Sequence, residues 1–313
     1  MCIRDRIING ELQRFLGEKG YFYPPDPASM DFSTIGGNIA ENSGGPRAFK
    51  YGVTRRYIRT IEWITSSGEL IEGTGDVVSA ILIGSEGTLG VVYSAELAVL
   101  PLPEAFRTAL VITSDDTSAM LFAQRIIESN LTPSVLEFID SRTMDCVAEY
   151  LDVELPGDKA GYLFVEFDGL KEEVDIQFSL FKSLCSTEGV QLKTARNETE
   201  KELLWKLRRS ISPSLARRGV TKVNEDVSLP TGSLVDGIQF IHELASELAL
   251  DCYVFGHCGD GNLHVNIMTD RRRKEEMKRV ERFVEELFMK VVSLGGSLSG
   301  EHGIGMTKKG YLR

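Results

Sequence analysis

The feature that most constrains the fold is an alternation of strand-like and helix-like segments after residue 105. Short apolar runs with strand character ("RTALVIT", "SVLEFID", "YLFVEFD", "VQLKTA") alternate with segments whose apolar residues recur at helical spacing ("TSAMLFAQRIIESN", "LKEEVDIQFSLFKSLCSTEG"). Two such strand–helix–strand passes predict an α+β sandwich of ferredoxin-like type. The change of rhythm at "PLPEAF" predicts a domain boundary there, with residues 1–100 and 101–313 forming separate domains.

Composition and charge narrow the possible function classes. The chain has 313 residues, enough for two domains with real cores, and a net charge of −11 without a basic stripe argues against a nucleic-acid surface. Five scattered cysteines without a C-x-x-C motif fit a reducing compartment. We find no signal peptide and no apolar run of the roughly 18 residues that a membrane span needs. The sequence therefore predicts a cytoplasmic protein, with peripheral docking to a membrane partner left open. Both ends look cut, which predicts a fragment.

A glycine-rich hairpin carries two of the four histidines. In "FGHCGDGNLHVN", Asp260-Gly261 is a signal for a two-residue type I′ turn. That turn would place His257 opposite His264, with Asn266 on the same face. Imidazole nitrogens bind divalent metals well, so the pattern predicts a metal site. The alternative is a tight turn whose histidines only form local hydrogen bonds.

A second glycine-rich stretch, "GGSLSGEHGIG", supplies Glu301 and His302 side by side. Two imidazoles and a carboxylate with one open position are typical of a catalytic rather than a structural metal centre. His242 stands on a predicted helix beside apolar residues, and we interpret it as structural.

A cationic segment, "ELLWKLRRSISPSLARR", places Arg208 and Ser212 four residues apart on one face of a predicted helix. A guanidinium group with a hydroxyl beside it suits a carboxylate, and Lys222 in "TKVNEDVSLP" is a candidate third contact. An ordinary solvated basic face explains the segment equally well.

Two loops, "STIGGNIAENSGG" and "GSEGTLG", have the composition of a backbone-lined surface for a flat or phosphorylated ligand. No G-x-G-x-x-G motif follows a strand, so a dinucleotide-binding Rossmann unit is not indicated.

Five motifs in a fixed order carry a family resemblance: "YPPDPASMDFSTIGGNIAENSGGPRAFKYGVTR", "GSEGTLGVV", "KVNEDVSLP", "GHCGDGNLHVN" and "SGEHGIG". Together they resemble the flavin-linked 2-hydroxyacid dehydrogenases and oxidases of the vanillyl-alcohol-oxidase type. This family includes D-lactate dehydrogenase, D-2-hydroxyglutarate dehydrogenase and the glycolate oxidase flavoprotein. The segments "YPPDP" and "GGPRAFKYGVTR" favour the glycolate oxidase branch. The resemblance implies that residues 1–100 are the C-terminal part of a PCMH-type FAD-binding domain whose N-terminal half is missing. Residues 101–313 would then be an FAD-linked oxidase C-terminal domain, truncated at its end, that binds substrate and metal.

The resemblance also assigns roles to individual positions. The residues that would touch FAD are Thr34, Gly36, Gly37, Asn38, Glu86, Gly87, Gly90 and Val91. The metal ligands would be His257, His264 and Glu301, with zinc as the first choice and manganese or iron as alternatives. His302 would be the general base. The residues that would bind the substrate carboxylate are Arg208, Ser212 and Lys222, with Arg209 as a substitute for Arg208.

The activity implied is FAD-dependent oxidation of a small D-2-hydroxy acid to the 2-oxo acid. The acid would be of the glycolate, D-lactate or D-2-hydroxyglutarate class. The metal would assist and a hydride would pass to the flavin. An iron–sulfur subunit, electron-transfer flavoprotein, quinone or cytochrome would re-oxidise the flavin. The alternatives are a non-catalytic flavin-binding subunit of a larger redox complex and a metal-dependent hydrolase. Without the missing half-domain, we expect the chain to bind FAD poorly.

Overall fold

The structure is a computed structural model that describes residues 6–73, 77–155 and 160–312. It divides into two compact units. The N-terminal unit comprises the residues up to Pro103 together with Glu301–Thr307, and the C-terminal unit comprises Glu104–Gly300 and the residues from Lys308 onward. Asp76 precedes the apolar segment "VVSAILI", where its residue type predicts a helix cap, but it lies outside the described residues.

The N-terminal unit is built from short helices and two small antiparallel sheets. Its helices are α1 (Asn9–Gly17), α2 (Ile35–Glu41), α3 (Ala48–Tyr51) and α4 (Val77–Leu82). Its strands are β1 (Tyr21–Phe22), β2 (Ile58–Ile64), β3 (Leu70–Gly73), β4 (Val91–Leu97) and β5 (Leu100–Pro101). The sheets have the orders β3-β2-β4 and β1-β5.

The core of this unit is one apolar cluster: Tyr23, Ile35, Ile39, Tyr57, Ile61, Trp63, Leu82 and Ile83. Strand β2 contributes Ile61 and Trp63 because alternate residues of a strand point to the same side. Strands β2 and β3 pair directly as a hairpin, and Gly68 in the turn between them has a φ of +80°.

The C-terminal unit alternates strands and helices. Its strands are β6 (Ala105–Ile112), β7 (Val135–Ile139), β8 (Tyr162–Gly169), β9 (Gln191–Thr194), β10 (Thr221–Ser228), β11 (Cys252–Gly256) and β12 (Asn262–Thr269). Its helices are α5 (Asp116–Glu128), α6 (Ser141–Leu151), α7 (Lys171–Thr187), α8 (Glu198–Arg209), α9 (Ile211–Leu215), α10 (Leu234–Glu247) and α11 (Lys274–Ser293).

Within the described residues, seven strands of this unit form one antiparallel sheet in the order β10-β12-β11-β7-β8-β6-β9. The segment from β6 to β9 makes two strand–helix–strand passes through α5 and α7, and its strands lie in the order β7-β8-β6-β9. This is the interleaved order of a ferredoxin-like α+β sandwich, which confirms the fold predicted from the alternating pattern. Strands β11, β12 and β10 extend that sheet beyond β7.

One face of the large sheet positions the polar residues discussed below. Its apolar part packs against side chains of α6, α8 and α9, among them Met144, Leu207 and Ile211. Directly opposed residues of neighbouring strands share a face. Glu137 is opposite Phe164 and His264 is opposite Phe255, and both phenylalanines belong to this apolar cluster. The polar residues therefore stand on the same side of the sheet as the core.

Among the described residues, no helix has both the length and the apolar character needed to cross a membrane. The 20-residue helix α11 is rich in charge, as its sequence KEEMKRVERFVEELFMKVVS shows.

Candidate active site

The two hairpin histidines lie side by side, although the turn differs from the one predicted. Strand β11 ends at Gly256 and β12 begins at Asn262, so the loop has five residues instead of two. Phe255, and not His257, is opposite His264, which makes the predicted register wrong by two residues. A shift of two positions keeps every side chain on its face. The two imidazole rings are accordingly 5.3 Å apart between centroids, and both are buried.

Gly261 fixes the shape of this loop. Its φ is +86°, and a Cβ atom at this position would collide with the carbonyl oxygen of Leu229. The Leu229 N–H donates to the Gly261 carbonyl oxygen at 2.9 Å, so the loop is tied to the segment after β10. Only glycine combines this dihedral angle with so close a backbone approach.

Each histidine has a buried carboxylate beside its ring, which the sequence analysis missed. Nδ1 of His257 is hydrogen-bonded to Oε1 of Glu137, and Nδ1 of His264 is 3.6 Å from Oδ1 of Asp226. Both carboxylates are 0% exposed. Histidines that bind metals usually turn their second ring nitrogen toward such a carboxylate or carbonyl group. A signal existed for Glu137, which is the one acid within the otherwise apolar strand β7, "VLEFI".

Arg208 is held by the other oxygen of the same glutamate. Its Nε donates to Oε2 of Glu137 at 2.6 Å, and its guanidinium carbon stands 5.2 Å from the centroid of the Phe255 ring. Burial raises the pKa of Glu137, but the charges of Arg208 and His257 lower it by a larger amount. The net result is a pKa of about 2. Glu137 is therefore ionised at neutral pH and anchors two predicted site residues at once.

Ser212 does not share a helix with Arg208, so that expectation is wrong. Helix α8 ends at Arg209, and Ser212 is exposed in the separate short helix α9. Pro213 has no N–H to donate to the Arg209 carbonyl, which breaks the regular hydrogen bonding at this point. Arg209, the suggested substitute, is on the surface and pairs with Glu202.

The paired strands β10 and β12 carry Lys222 and two asparagines, Asn224 and Asn266. Lys222 is exposed and opposite Met268. Asn224 is opposite Asn266 and lies two residues nearer to the Asp226–His264 pair, on the same face. The Oδ1 atoms of Asn224 and Asn266 are buried and have no hydrogen-bond partner within the described residues. These two amide oxygens therefore lie between Lys222 and His264 along the sheet. Asn266 was expected on the face of His264, whereas the position of Asn224 was not predicted.

Asp226 also anchors the backbone that leads to the E-H-G motif. Its Oδ2 accepts hydrogen bonds from Ser299 Oγ and from the Gly300 N–H, both at 2.9 Å. The buried Lys308 donates from Nζ to the carbonyl oxygens of Asp226 and Leu298 at 2.8 and 2.7 Å. Gly300 directly precedes Glu301 in the chain. Glu301 and His302 themselves count with the N-terminal unit.

In the N-terminal unit, Glu86 organises the turn that follows His302. Its carboxylate accepts hydrogen bonds from the N–H groups of Ile304 and Gly305 at 2.7 and 2.8 Å. Burial and the charge of Glu86 raise the pKa of Glu41, and His302 partly offsets this rise. Glu41, Glu86 and His302 thus form one electrostatic group.

His242 is not surrounded only by apolar residues, which corrects that part of the sequence interpretation. Its Nε2 is 3.4 Å from Oδ2 of Asp140, and its Nδ1 is 3.8 Å from Oδ2 of Asp116. Burial lowers the pKa of His242, but the two carboxylates raise it more. Burial and the charge of Asp140 raise the pKa of Asp116 to about 6.

Comparison with known families follows the same division of the chain. Residues 102–313 match the family described as "FAD linked oxidases, C-terminal domain", and residues 7–74 match the "FAD binding domain". The chain belongs to the FAD-linked oxidase family. The parts of this oxidase therefore agree with the fold class expected from the resemblance.

Curated relatives match this oxidase along nearly its whole length. Glycolate oxidase subunit GlcD of Bacillus subtilis (strain 168) is 37% identical, over 99% of this chain and 68% of its own length. D-2-hydroxyglutarate dehydrogenase of Stutzerimonas stutzeri (strain A1501) is 33% identical, over 98% and 69%. D-lactate dehydrogenase of Anaerostipes hadrus is 30% identical, over 99% and 69%. The chain thus spans about two thirds of these relatives.

Solved structures show the same fold at low identity. An alkyldihydroxyacetonephosphate synthase matches with a TM-score of 0.71 at 19% identity, covering 94% of this oxidase and 58% of that chain. p-Cresol methylhydroxylase with bound substrate matches with a TM-score of 0.71 at 13% identity, covering 94% and 67%. These neighbours are PCMH-type flavoproteins, so the expected fold class is confirmed.

The loops of this oxidase that were expected to touch FAD fall into two groups. A Cβ atom on Gly36 or Gly87 would meet nothing within 4 Å, so a flat ligand has room at both positions. The buried Nδ2 of Asn38 has no hydrogen-bond partner within the described residues, which also fits a polar ligand atom.

Thr34 and Gly90 have structural roles of their own. Thr34 Oγ1 accepts from the Gly37 N–H at 3.0 Å and caps α2. Gly90 has a φ of +152°, and a Cβ there would lie 2.7 Å from the Ile64 carbonyl oxygen. Val91 is 70% exposed. The flavin roles of all these positions stay predictions.

Proposed function

We propose that the protein is an FAD-dependent dehydrogenase or oxidase that converts a small D-2-hydroxy acid to its 2-oxo acid. The acid is of the glycolate, D-lactate or D-2-hydroxyglutarate class, in line with the names of the three relatives. The observation that carries the proposal is the Glu137 carboxylate, which joins a buried histidine to a buried arginine. Glu137 thereby holds His257, a residue type that binds metals, near Arg208, a residue type that binds organic anions.

The substrate carboxylate is bound by Arg208 in this proposal. A guanidinium group has five N–H donors, and Glu137 occupies only one edge of it. The remaining donors suit a bidentate carboxylate. Ser212 and Lys222 are the proposed additional contacts. Both are exposed, so they would act from the solvent side of the substrate.

His257 and His264 with Glu301 are the proposed ligands of a divalent ion, with zinc ahead of manganese and iron. The two buried rings, 5.3 Å apart, fit this role because a carboxylate beside Nδ1 of each ring fixes its orientation and leaves Nε2 for a metal. Such an ion, when bound, supplies a Lewis acid that lowers the pKa of a hydroxyl group.

His302 is the proposed general base that takes the proton of the 2-hydroxyl group, because imidazole is a suitable acceptor near neutral pH. It stands in the electrostatic group with Glu41 and Glu86. FAD, when bound, would supply the acceptor for a hydride from C2 of the acid. An iron–sulfur subunit, electron-transfer flavoprotein, quinone or cytochrome is the proposed electron acceptor. The cytoplasm, or the inner face of the membrane through a partner, is the proposed location.

Anaerobic mixing of the complete gene product with a panel of D-2-hydroxy acids tests the proposal. We expect bleaching of the oxidised flavin by at least one acid. His302→Ala should slow that bleaching by about 10²–10⁴-fold and leave the metal content unchanged. His242→Gln is the control and should bleach at the wild-type rate.

The rival functions give different results in the same experiment. A metal-dependent hydrolase would show no bleaching with any acid. A non-catalytic subunit would contain flavin and ignore the whole panel. Bleaching of the His302→Ala variant at the wild-type rate would remove the base from the mechanism.

A further inference from the structure

Glu137 connects two parts of the candidate site that are far apart in sequence. It lies in the middle of β7 with 0% exposure. Its Oε1 is hydrogen-bonded to His257, 120 residues away, and its Oε2 accepts from Arg208, 71 residues away. A buried charge without a function is a cost to the fold, because an ion pair of this kind is often no more stabilising than apolar side chains of the same volume.

We infer that Glu137 is a positioning residue, which sets the tautomer of His257 and the orientation of the Arg208 guanidinium with a single carboxylate. The inference rests on the proposed function, in which His257 is a metal ligand and Arg208 binds the substrate. Glu137 itself touches neither the metal nor the acid in this scheme. It acts through the two side chains that it holds.

The effect on His257 follows from the hydrogen bond at Nδ1. An ionised carboxylate only accepts hydrogen bonds, so the ring must donate from Nδ1. In the neutral imidazole the proton then sits on Nδ1, and the lone pair on Nε2 is left for a metal. Without this partner the ring is free to carry its proton on Nε2, where a metal cannot bind it.

The effect on Arg208 comes from two contacts with different partners. The Glu137 oxygen holds the guanidinium in its plane, with Nε and Nη2 each 2.6 Å from Oε2. The Phe255 ring lies 5.2 Å from the guanidinium carbon. A long side chain fixed in this way loses little further entropy when it binds a carboxylate.

A second buried glutamate on the neighbouring strand provides a matched control. Glu166 in β8 is opposite Val135, which precedes Glu137 by two residues in β7, so the two acids share a face. Glu166 Oε2 accepts hydrogen bonds from Thr108 Oγ1 at 2.7 Å and from Trp205 Nε1 at 2.8 Å. It therefore supports α8, the helix that carries Arg208, without bonding to a histidine in either of these contacts.

The test compares Glu137→Gln with Glu166→Gln in the complete, flavin-loaded protein. A glutamine has one carbonyl oxygen and one NH₂ group, so it cannot accept from both His257 and Arg208. If the oxygen faces Arg208, the NH₂ group forces the wrong tautomer on His257. If it faces His257, the NH₂ group meets the guanidinium and displaces it.

Two measurements separate these results from simple destabilisation. Titration calorimetry with Zn²⁺ and with Mn²⁺ on the metal-free protein gives the metal affinity, and steady-state kinetics with the best acid gives KM and kcat. For Glu137→Gln we expect a 10- to 100-fold loss of metal affinity or a KM raised at least tenfold. Glu166→Gln should lower the unfolding midpoint and change neither quantity. Wild-type metal affinity together with wild-type KM in a folded Glu137→Gln variant overturns the inference.

Imidazole ¹⁵N NMR of the metal-free wild-type protein keeps the inference testable if Glu137→Gln fails to fold. The chain has four histidines, and the His257→Asn variant identifies the signal of His257. We expect the neutral ring to be protonated at Nδ1, and protonation at Nε2 overturns the inference. This measurement needs neither metal nor turnover, so it also distinguishes a failure here from a failure of the proposed function.

Discussion

Replacing Asp116 by asparagine should stabilise the C-terminal unit relative to the wild type. This gain should be larger at neutral pH than at acidic pH. The pKa of Asp116 rises from 3.8 to about 6 because burial and the charge of Asp140 disfavour its ionised form. Its side chain is only 14% exposed, so solvent screens this effect little. A difference of this size corresponds to roughly 3 kcal/mol of unfolding free energy.

The sign of the effect follows from the direction of the pKa change. A carboxyl group whose pKa is raised on folding contributes its full stability below its unfolded pKa, and this is lost as the pH rises through the folded pKa. For Asp116 the loss falls between about pH 3.8 and pH 6. The asparagine of the Asp116→Asn variant stays neutral throughout, and its amide oxygen still suits the Ser141 N–H, which donates to Asp116 at 2.8 Å in the wild type. As the pH rises from 4 to 7.5, the free energy of unfolding of the variant should therefore increase by up to roughly 3 kcal/mol relative to the wild type. The loss of the ion pair with His242 reduces this gain.

Urea unfolding at a series of pH values, followed by tryptophan fluorescence, measures this difference. The chain has two tryptophans, so a Trp63→Phe background leaves Trp205 as the reporter in the C-terminal unit. Asp115→Ala is the control with the opposite sign, because the Ser118 N–H lowers the pKa of Asp115 against a smaller effect of burial. That variant should lose the cap of α5, about 1 kcal/mol, above pH 4. An Asp116→Asn difference that does not vary with pH refutes the reasoning.

Three further substitutions test the local geometry. Gly261→Ala should destabilise the protein by roughly 3 kcal/mol, because the added Cβ meets the Leu229 carbonyl at a positive φ, and thermal unfolding will show it. Thr34→Ala should cost about 1 kcal/mol through the lost cap of α2, with Thr34→Ser unchanged, as read from urea unfolding of the N-terminal unit. Glu86→Gln should lose roughly 1.5–3 kcal/mol, since one amide oxygen cannot replace two carboxylate oxygens at residues 304–305, and faster amide exchange there will report it.

The ferredoxin-like arrangement was predictable because it depends on local periodicity. The hairpin register was not, because the Asp260-Gly261 signal describes the turn alone. In the folded chain Gly261 packs against the Leu229 backbone, and the Asn262 N–H donates to the His257 carbonyl at 3.1 Å. These contacts favour a longer loop. The face of the histidines survived the error because a strand repeats every two residues.

The candidate site was predictable only in part, for a different reason. Histidines in glycine-rich loops stand out in a sequence. Glu137, one acid in β7, and Asp226, which follows Glu225 in β10, do not. A buried charge requires a partner, so an acid inside an apolar strand is a usable signal that something basic lies next to it. For Glu137 the partners are Arg208 and His257, which lie 71 and 120 positions away in the sequence. The local sequence around Glu137 therefore cannot identify them.

The assignment of Glu301–Thr307 to the N-terminal unit has a consequence for how such proteins can recombine. The chain leaves the C-terminal unit after Gly300 and rejoins it at Lys308. A chimaera that takes everything after Pro103 from one parent would combine the proposed base of that parent with the flavin loops of another. A chimaera that keeps Glu301–Thr307 and the rest of the N-terminal unit from the same parent needs two further junctions, one on each side of this seven-residue segment. Chimaeric proteins made with a single crossover should be poorer catalysts.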